Sequence, residues 1–163
     1  MRQHFIISAA AVAFSSTAAL AEPIAFEATL APTDEIRMEF GDDSKHFLLM
    51  VRREGEATGD GMFDGARVVE HGYHDIMPPS GGDPQGYLEV TTDAGDIAYL
   101  KWIVRAVFVK GEEGPRLIDY GYWEMVSGTG ALAGMTGVGT LQIKPASETE
   151  RTFVIEGEIG EAP

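Results

Sequence analysis

The segment His71-Gly-Tyr-His-Asp75 contains the residue types that come closest to a metal site in this sequence. Imidazole and carboxylate groups are common zinc ligands, and a catalytic zinc needs three protein ligands. In an extended strand, however, His71 and Asp75 lie on one face and His74 on the other, because side chains alternate. Only His46 remains as a third histidine after residue 21. We predict no metal and no cofactor, and we expect a solvated strand end; a role in ligand binding at an opening is the alternative.

Other residues with chemical potential are poorly placed for catalysis. Ser127 and Thr129 lie in a glycine-rich stretch with no histidine near them in sequence to act as a base. Lys101 and Arg105 share one strand face, about 13 Å apart, and we expect them to point outward, although they would bracket an anionic ligand if they faced inward. The sequence has no cysteine, which removes thiol catalysis. We assign no catalytic residue and favour a protein without enzymatic activity.

Large apolar and aromatic side chains form a third group. We expect most of them to fill the protein core. An interior that is only partly filled would instead offer an apolar cavity with a few polar groups, which is the usual form of a small-molecule site. The ligand-binding candidates are Leu100, Trp102, Phe108, Tyr120, Tyr122 and Trp123.

The elements that must position these side chains have a period of two residues. Alternating apolar and polar residues predict half-buried strands. The predicted strands are Ile24–Leu30, Ile36–Phe40, His46–Arg53, Ala66–Tyr73, Tyr87–Thr92, Ile97–Val109, Leu117–Met125, Val138–Ile143 and Thr152–Ile159. Residues 31–34 are predicted to be a turn, and the proline- and glycine-rich residues 74–86 a loop that acts as an ordered lid over an opening. Only residues 132–135 are candidates for a single helical turn.

A meander of about eight short strands predicts an all-β protein. Each sheet would bury one face only, since one face of each strand is apolar. Closure into a single antiparallel β-barrel removes exposed sheet edges, and a β-sandwich is the alternative. The closely spaced glycines between residues 128 and 139 favour the barrel, because they permit tight, strongly curved corners.

The same glycines carry a family resemblance. A dinucleotide-binding loop is rejected because such a loop must open a helix, whereas Val138–Ile143 continues as a strand. The spaced elements Gly121-Tyr122, Ser127-Gly-Thr-Gly130, Leu132-Ala-Gly134 and Gly137-Val-Gly-Thr140 resemble the glycine motif of the allene oxide cyclase-like barrels, a superfamily that includes the dirigent proteins and exported bacterial members of undefined role. The resemblance covers roughly residues 86–159. It implies an eight-stranded antiparallel barrel with a hydrophobic cavity, and it transfers no catalytic residue.

The N-terminal residues have the pattern of a secretory signal. Arg2 and His4 precede an apolar run from Phe5 to Phe14, and Ala19-Leu20-Ala21 is a small-x-small cleavage site. Cleavage after Ala21 would leave residues 22–163 as one barrel domain in the periplasm or outside the cell. The apolar run is shorter than the ~20 residues of a membrane span, so we predict no membrane insertion. A net charge of −14 argues against nucleic acid and anionic membrane surfaces as partners.

Three functions are compatible with these features. The leading hypothesis is an exported barrel that binds a small hydrophobic ligand without transforming it. The second, implied by the resemblance, is an isomerase or cyclase, which requires a titratable group with a displaced pKa facing the cavity. The third is a structural or interaction protein with a filled barrel, which requires an exposed apolar patch or a stable oligomer.

Overall fold

A computed structural model describes residues 21–112 and 114–163, so the predicted signal segment lies outside the described residues except for Ala21. Nine strands and one 3-10 helix make up the described chain. The strands are β1 (Glu22–Glu39), β2 (Phe47–Asp60), β3 (Arg67–Met77), β4 (Gly81–Gly82), β5 (Gln85–Thr91), β6 (Ile97–Lys110), β7 (Pro115–Gly128), β8 (Met135–Pro145) and β9 (Arg151–Glu161), and the 3-10 helix is Gly130–Leu132. Within these residues no helix has the length and apolar character to cross a membrane.

Eight of the strands close into an antiparallel barrel, which confirms the predicted fold class. The order around the barrel is β1, β2, β3, β5, β6, β7, β8 and β9, and β9 pairs again with β1. The two-residue strand β4 is an addition that pairs with β3 and β6. A path perpendicular to the strands leaves β1 at Pro32 and returns to it at Glu22, ten residues earlier. The strands are therefore strongly tilted, as closure requires.

Two predicted boundaries are wrong. Residues 31–34 are not a turn between two strands, because β1 runs on through a register shift between Pro32 and Asp34. Pro32 is tolerated there because the pairing of β1 with β9 has already ended at Leu30, so no partner on that side needs its missing N–H. The predicted loop at residues 74–86 is also shorter, since β3 continues to Met77 and β4 and β5 follow. The Pro78–Pro79 peptide bond is cis.

One end of the barrel, which we call the apolar end, is filled by hydrophobic side chains. Phe63, from the β2–β3 turn, is 1% exposed and packs against Phe26 with ring centroids 5.5 Å apart. Leu132, from the 3-10 helix, is also buried in the core. These two residues close the interior at this end.

The two tryptophans lie opposite each other in the middle of the barrel, where Trp102 on β6 pairs with Trp123 on β7. Both are buried, and glycines provide the space for their indoles. A Cβ atom at Gly86 would lie 3.0 Å from Cζ2 of Trp102, and one at Gly157 would lie 2.6 Å from Cζ2 of Trp123. The glycines of the central rows therefore serve packing as well as curvature, and at this level the barrel is filled by its own side chains.

Candidate functional site

The other end of the barrel, the polar end, contains a group of buried charged and polar residues. Among the described residues, the buried ones of this kind are Arg53, Glu70, His74 and Asp119. Together with the half-buried Arg151 we call them the polar layer. Buried charges are costly unless they are paired and hydrogen-bonded. Their presence together inside a small barrel marks this layer as the candidate functional site.

Strand register brings the centre of the layer together. On β3, Glu70, Gly72 and His74 face inward because alternate residues share a face. Arg53 on β2 is the direct cross-strand neighbour of Glu70, and its Nη1 donates to Oε2 of Glu70 at 2.6 Å. The second carboxylate oxygen, Oε1, is 3.1 Å from Nε2 of His74. Glu70 thus links Arg53 and His74, and Gly72 leaves room for this arrangement because a Cβ there would overlap both the Glu70 carboxylate and the His74 ring.

Aromatic rings lie beside the polar layer on its side towards the apolar end. The ring centroids of His74 and Trp102 are 5.8 Å apart, and those of Trp102 and Phe153 are 5.9 Å apart in an edge-to-face arrangement. Trp102 and Phe153 belong to the continuous hydrophobic core. We call Trp102 and Phe153, which lie on this side of the polar layer, the aromatic floor.

Asp119 on β7 completes the layer, and its carboxyl group is an unusually weak acid. Burial raises the pKa of Asp119 from its ordinary value of 3.8 to about 6, although the charges of His74 and Arg151 favour the ionised form. Burial also lowers the pKa of Arg151, and the positive charge of Arg53 acts in the same direction. A carboxyl group that titrates near neutral pH inside the barrel can hold or release a proton under ordinary conditions.

Three buried polar atoms in this part of the barrel have no hydrogen-bond partner among the described residues. They are Nε of Arg53, Nε1 of Trp102 and Oδ1 of Asp119. The first two are N–H donors, and the third is a carboxyl oxygen that accepts. By contrast, Nε1 of Trp123 donates to the carbonyl oxygen of Glu156 at 3.1 Å. The unpaired hydrogen-bonding capacity is thus concentrated at the polar layer.

Beyond the polar layer, towards the end of the barrel, the inward-facing Ile76 is buried, and three further inward-facing apolar positions are only partly covered. Leu49, Phe108 and Leu117 have intermediate exposure and follow the inward alternation of their strands. Phe108 and Leu117 are direct cross-strand neighbours. We call these three residues the mouth, since they follow the polar layer along the inward faces of their strands.

The six predicted ligand contacts do not form one site. Leu100, Trp102 and Trp123 are buried inside the barrel, and Phe108 belongs to the mouth. The expectation that the aromatic residues are core residues is wrong for Tyr120 and Tyr122, which are each 55% exposed on the outer surface. Inward positions on β7 have odd numbers, so both tyrosines must face outward. Ligand binding by these six residues stays a prediction.

The histidine segment is partly as predicted. His71 and Asp75 point outward, and Asp75 bonds His46. The prediction of a solvated strand end is wrong for His74, which is buried against Glu70. No group of three or more potential metal ligands of the His, Cys, Asp and Glu types is found in residues 21–112 and 114–163.

Lys101 and Arg105 lie on the outer surface, as predicted. Lys101 Nζ is 3.2 Å from Oε1 of Glu124, and Arg105 Nη1 is 2.8 Å from Oδ2 of Asp83. The outward orientation rules out the alternative that they bracket a ligand inside the barrel.

Sequence reasoning missed four members of the polar layer, Arg53, Glu70, Asp119 and Arg151. The signal that marks the first two is a charged residue in phase with buried apolar neighbours, as in Val51 with Arg53 and Val68 with Glu70. Asp119 has the same parity as the buried Trp123 on β7. A charge that occupies an inward position of an otherwise apolar strand face is therefore a sign of a functional or structural network.

Three bacterial proteins of known structure are among those similar to this chain. A beta-barrel like protein from Acinetobacter baumannii has 10% identity and a TM-score of 0.57, with 86% of this chain and 95% of that chain covered. A conserved protein of unknown function from Rhodopseudomonas palustris has 14% identity and a TM-score of 0.54, with 88% and 99% covered. A protein with unknown function from Clostridium acetobutylicum has 8% identity and a TM-score of 0.56, with 87% and 99% covered.

At these identities the likeness shows the fold alone. The barrel part of the predicted resemblance is supported by the three structures, but a relation to the allene oxide cyclase-like barrels is not established by them. The chain matches no protein-family model and no curated protein.

Proposed function

We propose that this protein binds a small, mainly apolar molecule at the polar end of the barrel, with the polar group of the molecule against the polar layer. The observation that carries the proposal is the set of three buried, unpartnered atoms on Arg53, Trp102 and Asp119. Buried polar atoms in proteins almost always have hydrogen-bond partners. A ligand that supplies such partners would gain affinity from groups that the protein leaves unpaired.

The chemistry of the three atoms narrows the ligand class. The N–H groups of Arg53 and Trp102 require an acceptor, and Oδ1 of Asp119 accepts a hydrogen bond. A hydroxyl or an un-ionised carboxylic acid offers both functions, whereas an alkane offers neither. The remainder of the molecule would lie towards the mouth, where apolar side chains are only half-buried.

The ligand must be small. An eight-stranded barrel is just wide enough either for its own side chains or for one small ligand. Here Trp102, Phe153 and the core beneath them fill the interior from the polar layer to the apolar end. A long chain therefore has no room below the aromatic floor, and the ligand would extend from the polar layer outward.

The two indole N–H groups provide a test with a built-in control. Protein labelled with 15N would be titrated with an alkane, an alcohol, a carboxylic acid and an amine of equal chain length. We expect the alcohol or the acid to shift the Trp102 indole signal more than the alkane or the amine does. The Trp123 signal should move little, because its N–H is already bonded to Glu156. Equal shifts of both signals, or no shift with any compound, would contradict the proposal.

Asp119 favours a second candidate function, proton transfer on the bound molecule. A general acid or base works best when its pKa lies near the operating pH, and burial brings the pKa of Asp119 to about 6. An isomerase of this kind would exchange a carbon-bound proton of its substrate with solvent. Deuterium uptake by the bound compound in heavy water, abolished by Asp119→Asn, would support it; equal uptake with the variant would exclude Asp119 as the base.

Export remains part of the proposal. It is supported by the basic start, apolar run and small-x-small site of residues 1–21. Membership of the allene oxide cyclase-like barrels is supported by the glycine motif of residues 121–140. Export and family membership concern where the protein acts and what it is related to, and neither alters the proposed contacts in the polar layer.

A further inference from the structure

Strand β1 continues beyond its partner β9. The β1–β9 pairing extends from Glu22 to Leu30, and residues 31–39 then pair with β2 alone among the described residues. Residues 33–40 are all exposed. This part of β1 is therefore a sheet edge that is accessible from both faces, and such an edge is a template for pairing with another strand.

The hydrogen-bonding pattern determines which backbone groups are free. The N–H of Phe40 donates to the carbonyl oxygen of His46 at 3.0 Å. Hydrogen-bonded pairs alternate along an antiparallel ladder, so Met38 and Ile36 also bond towards β2. Arg37 and Glu39 then direct their N–H and C=O groups towards the open edge. An incoming antiparallel strand must pair with these odd-numbered residues.

The side chains alternate in the same way. Ile36, Met38 and Phe40 lie on one face and are 64%, 48% and 39% exposed. Arg37 and Glu39 lie on the other face, where Nε of Arg37 is 3.1 Å from Oε1 of Glu39. The edge therefore carries an apolar row on one face and opposite charges on the other.

We propose that two copies of this chain associate through this edge as antiparallel strands around a two-fold axis at Met38. Met38 then faces Met38 of the second copy, and Ile36 faces Phe40 of the second copy on both sides of the axis. On the other face, Arg37 faces Glu39 of the second copy, again twice. Within residues 36–40 apolar side chains meet apolar ones and each charge meets its opposite, which stabilises cross-strand pairs.

Neighbouring registers are less complementary. A shift of the axis to Arg37 places this arginine opposite itself and Glu35 opposite Glu39, so that like charges meet. A shift of the axis to Ile36 places Met38 opposite Asp34 of the second copy. Registers centred between residues fail because they pair odd with even positions, whose backbone groups point in opposite directions. The self-complementarity at Met38 is the reason to name a second copy as the partner.

Single cysteine variants test both the contact and its register, because the chain has no cysteine of its own. Met38 and its copy would form a non-hydrogen-bonded pair with Cα atoms about 4.5 Å apart, which a disulfide can span. We expect Met38→Cys to form a covalent dimer on mild oxidation. Ile36 and Met50 are 64% and 43% exposed, and Ile36→Cys and Met50→Cys are the matched controls that should form no covalent dimer. No cross-linking of Met38→Cys, equal cross-linking of all three, or preferential cross-linking of Ile36→Cys would overturn the proposal.

Charge exchange provides an independent test by sedimentation velocity. Arg37→Glu or Glu39→Arg alone would place like charges opposite each other twice, and we expect each to weaken dimerisation about tenfold or more. The double exchange should restore the wild-type affinity, because the two charges again face their opposites. A wild-type protein that sediments as a monomer at every concentration, or a double variant as weak as the single ones, would overturn the proposal.

Discussion

Replacing Asp119 by Asn should make the protein more stable at neutral pH than the wild type. The side chain is 9% exposed, and its ionised form is costly inside the barrel. Because burial raises its pKa to about 6, the folded protein holds this proton more tightly than the unfolded chain does. The wild type therefore loses stability as the pH rises from the unfolded to the folded pKa. Asn has nearly the same shape and does not titrate.

The magnitude follows from the two pKa values. The difference between about 6 and 3.8 corresponds to about 3 kcal/mol of unfolding free energy. The contribution is fully unfavourable above the folded pKa and vanishes below the unfolded pKa. The attraction of His74 and Arg151 for the carboxylate is already contained in this net value. The stability difference between Asp119→Asn and the wild type should thus grow by about 3 kcal/mol across this pH window.

Urea unfolding at a series of pH values below, between and above these two pKa values measures the difference directly. Many carboxylates titrate in this range, so the comparison between variant and wild type is the informative quantity. Asp93→Asn, which removes an exposed turn carboxylate, is the control for the loss of a surface carboxylate, and its stability should differ little from that of the wild type. Parallel stability curves for Asp119→Asn and the wild type would refute the conclusion that this group is held in a desolvated position.

Three further predictions concern the polar layer and the N-terminus. Glu70→Gln leaves the buried Arg53 without its counter-charge and should cost about 3–5 kcal/mol of unfolding free energy. The control Glu124→Gln breaks a surface ion pair and should cost under about 1 kcal/mol, so equal costs in urea unfolding would contradict the burial of this network. Gly72→Ala should destabilise by about 1–3 kcal/mol through overlap with its neighbours, while Gly41→Ala, where a Cβ meets open space, should be close to neutral in thermal unfolding. Mass spectrometry of the protein secreted by a bacterial host should show a mature N-terminus directly after Ala21; an intact N-terminus would remove the prediction of export.

The fold was accessible from the sequence because period-two alternation is a local property. The even positions from Ala98 to Phe108 predict a strand with one apolar face, and β6 has that form. The glycines after residue 128 predict tight corners, and the 3-10 turn followed by β8 occupies that stretch. The boundaries were less accessible, since Pro32 normally ends a strand and is tolerated only where β9 has stopped pairing.

The candidate site was only partly accessible from the sequence: the phase of its charged residues was readable, but their meeting in one layer was not. Alternation placed His74 on the opposite face from His71, but it did not decide which of the two faces is buried. Both faces carry polar residues, since His71 and Asp75 lie on one and His74 on the other. Arg53, Glu70 and Asp119 come from three strands that are distant in the chain, and charged residues are expected at the surface. Only the register of β2 with β3 places Arg53 opposite Glu70.

The sequence by itself determined the all-β class and favoured a closed barrel over a sandwich, because these depend on local alternation and glycine spacing. The tertiary structure alone decided that a buried polar layer lies towards one end of the interior, that Tyr120 and Tyr122 face solvent, and that the second half of β1 has only β2 as a partner among residues 21–112 and 114–163. The physical reason is that strand tilt and register set which side chains from distant strands meet inside a barrel, and these depend on the whole closed sheet.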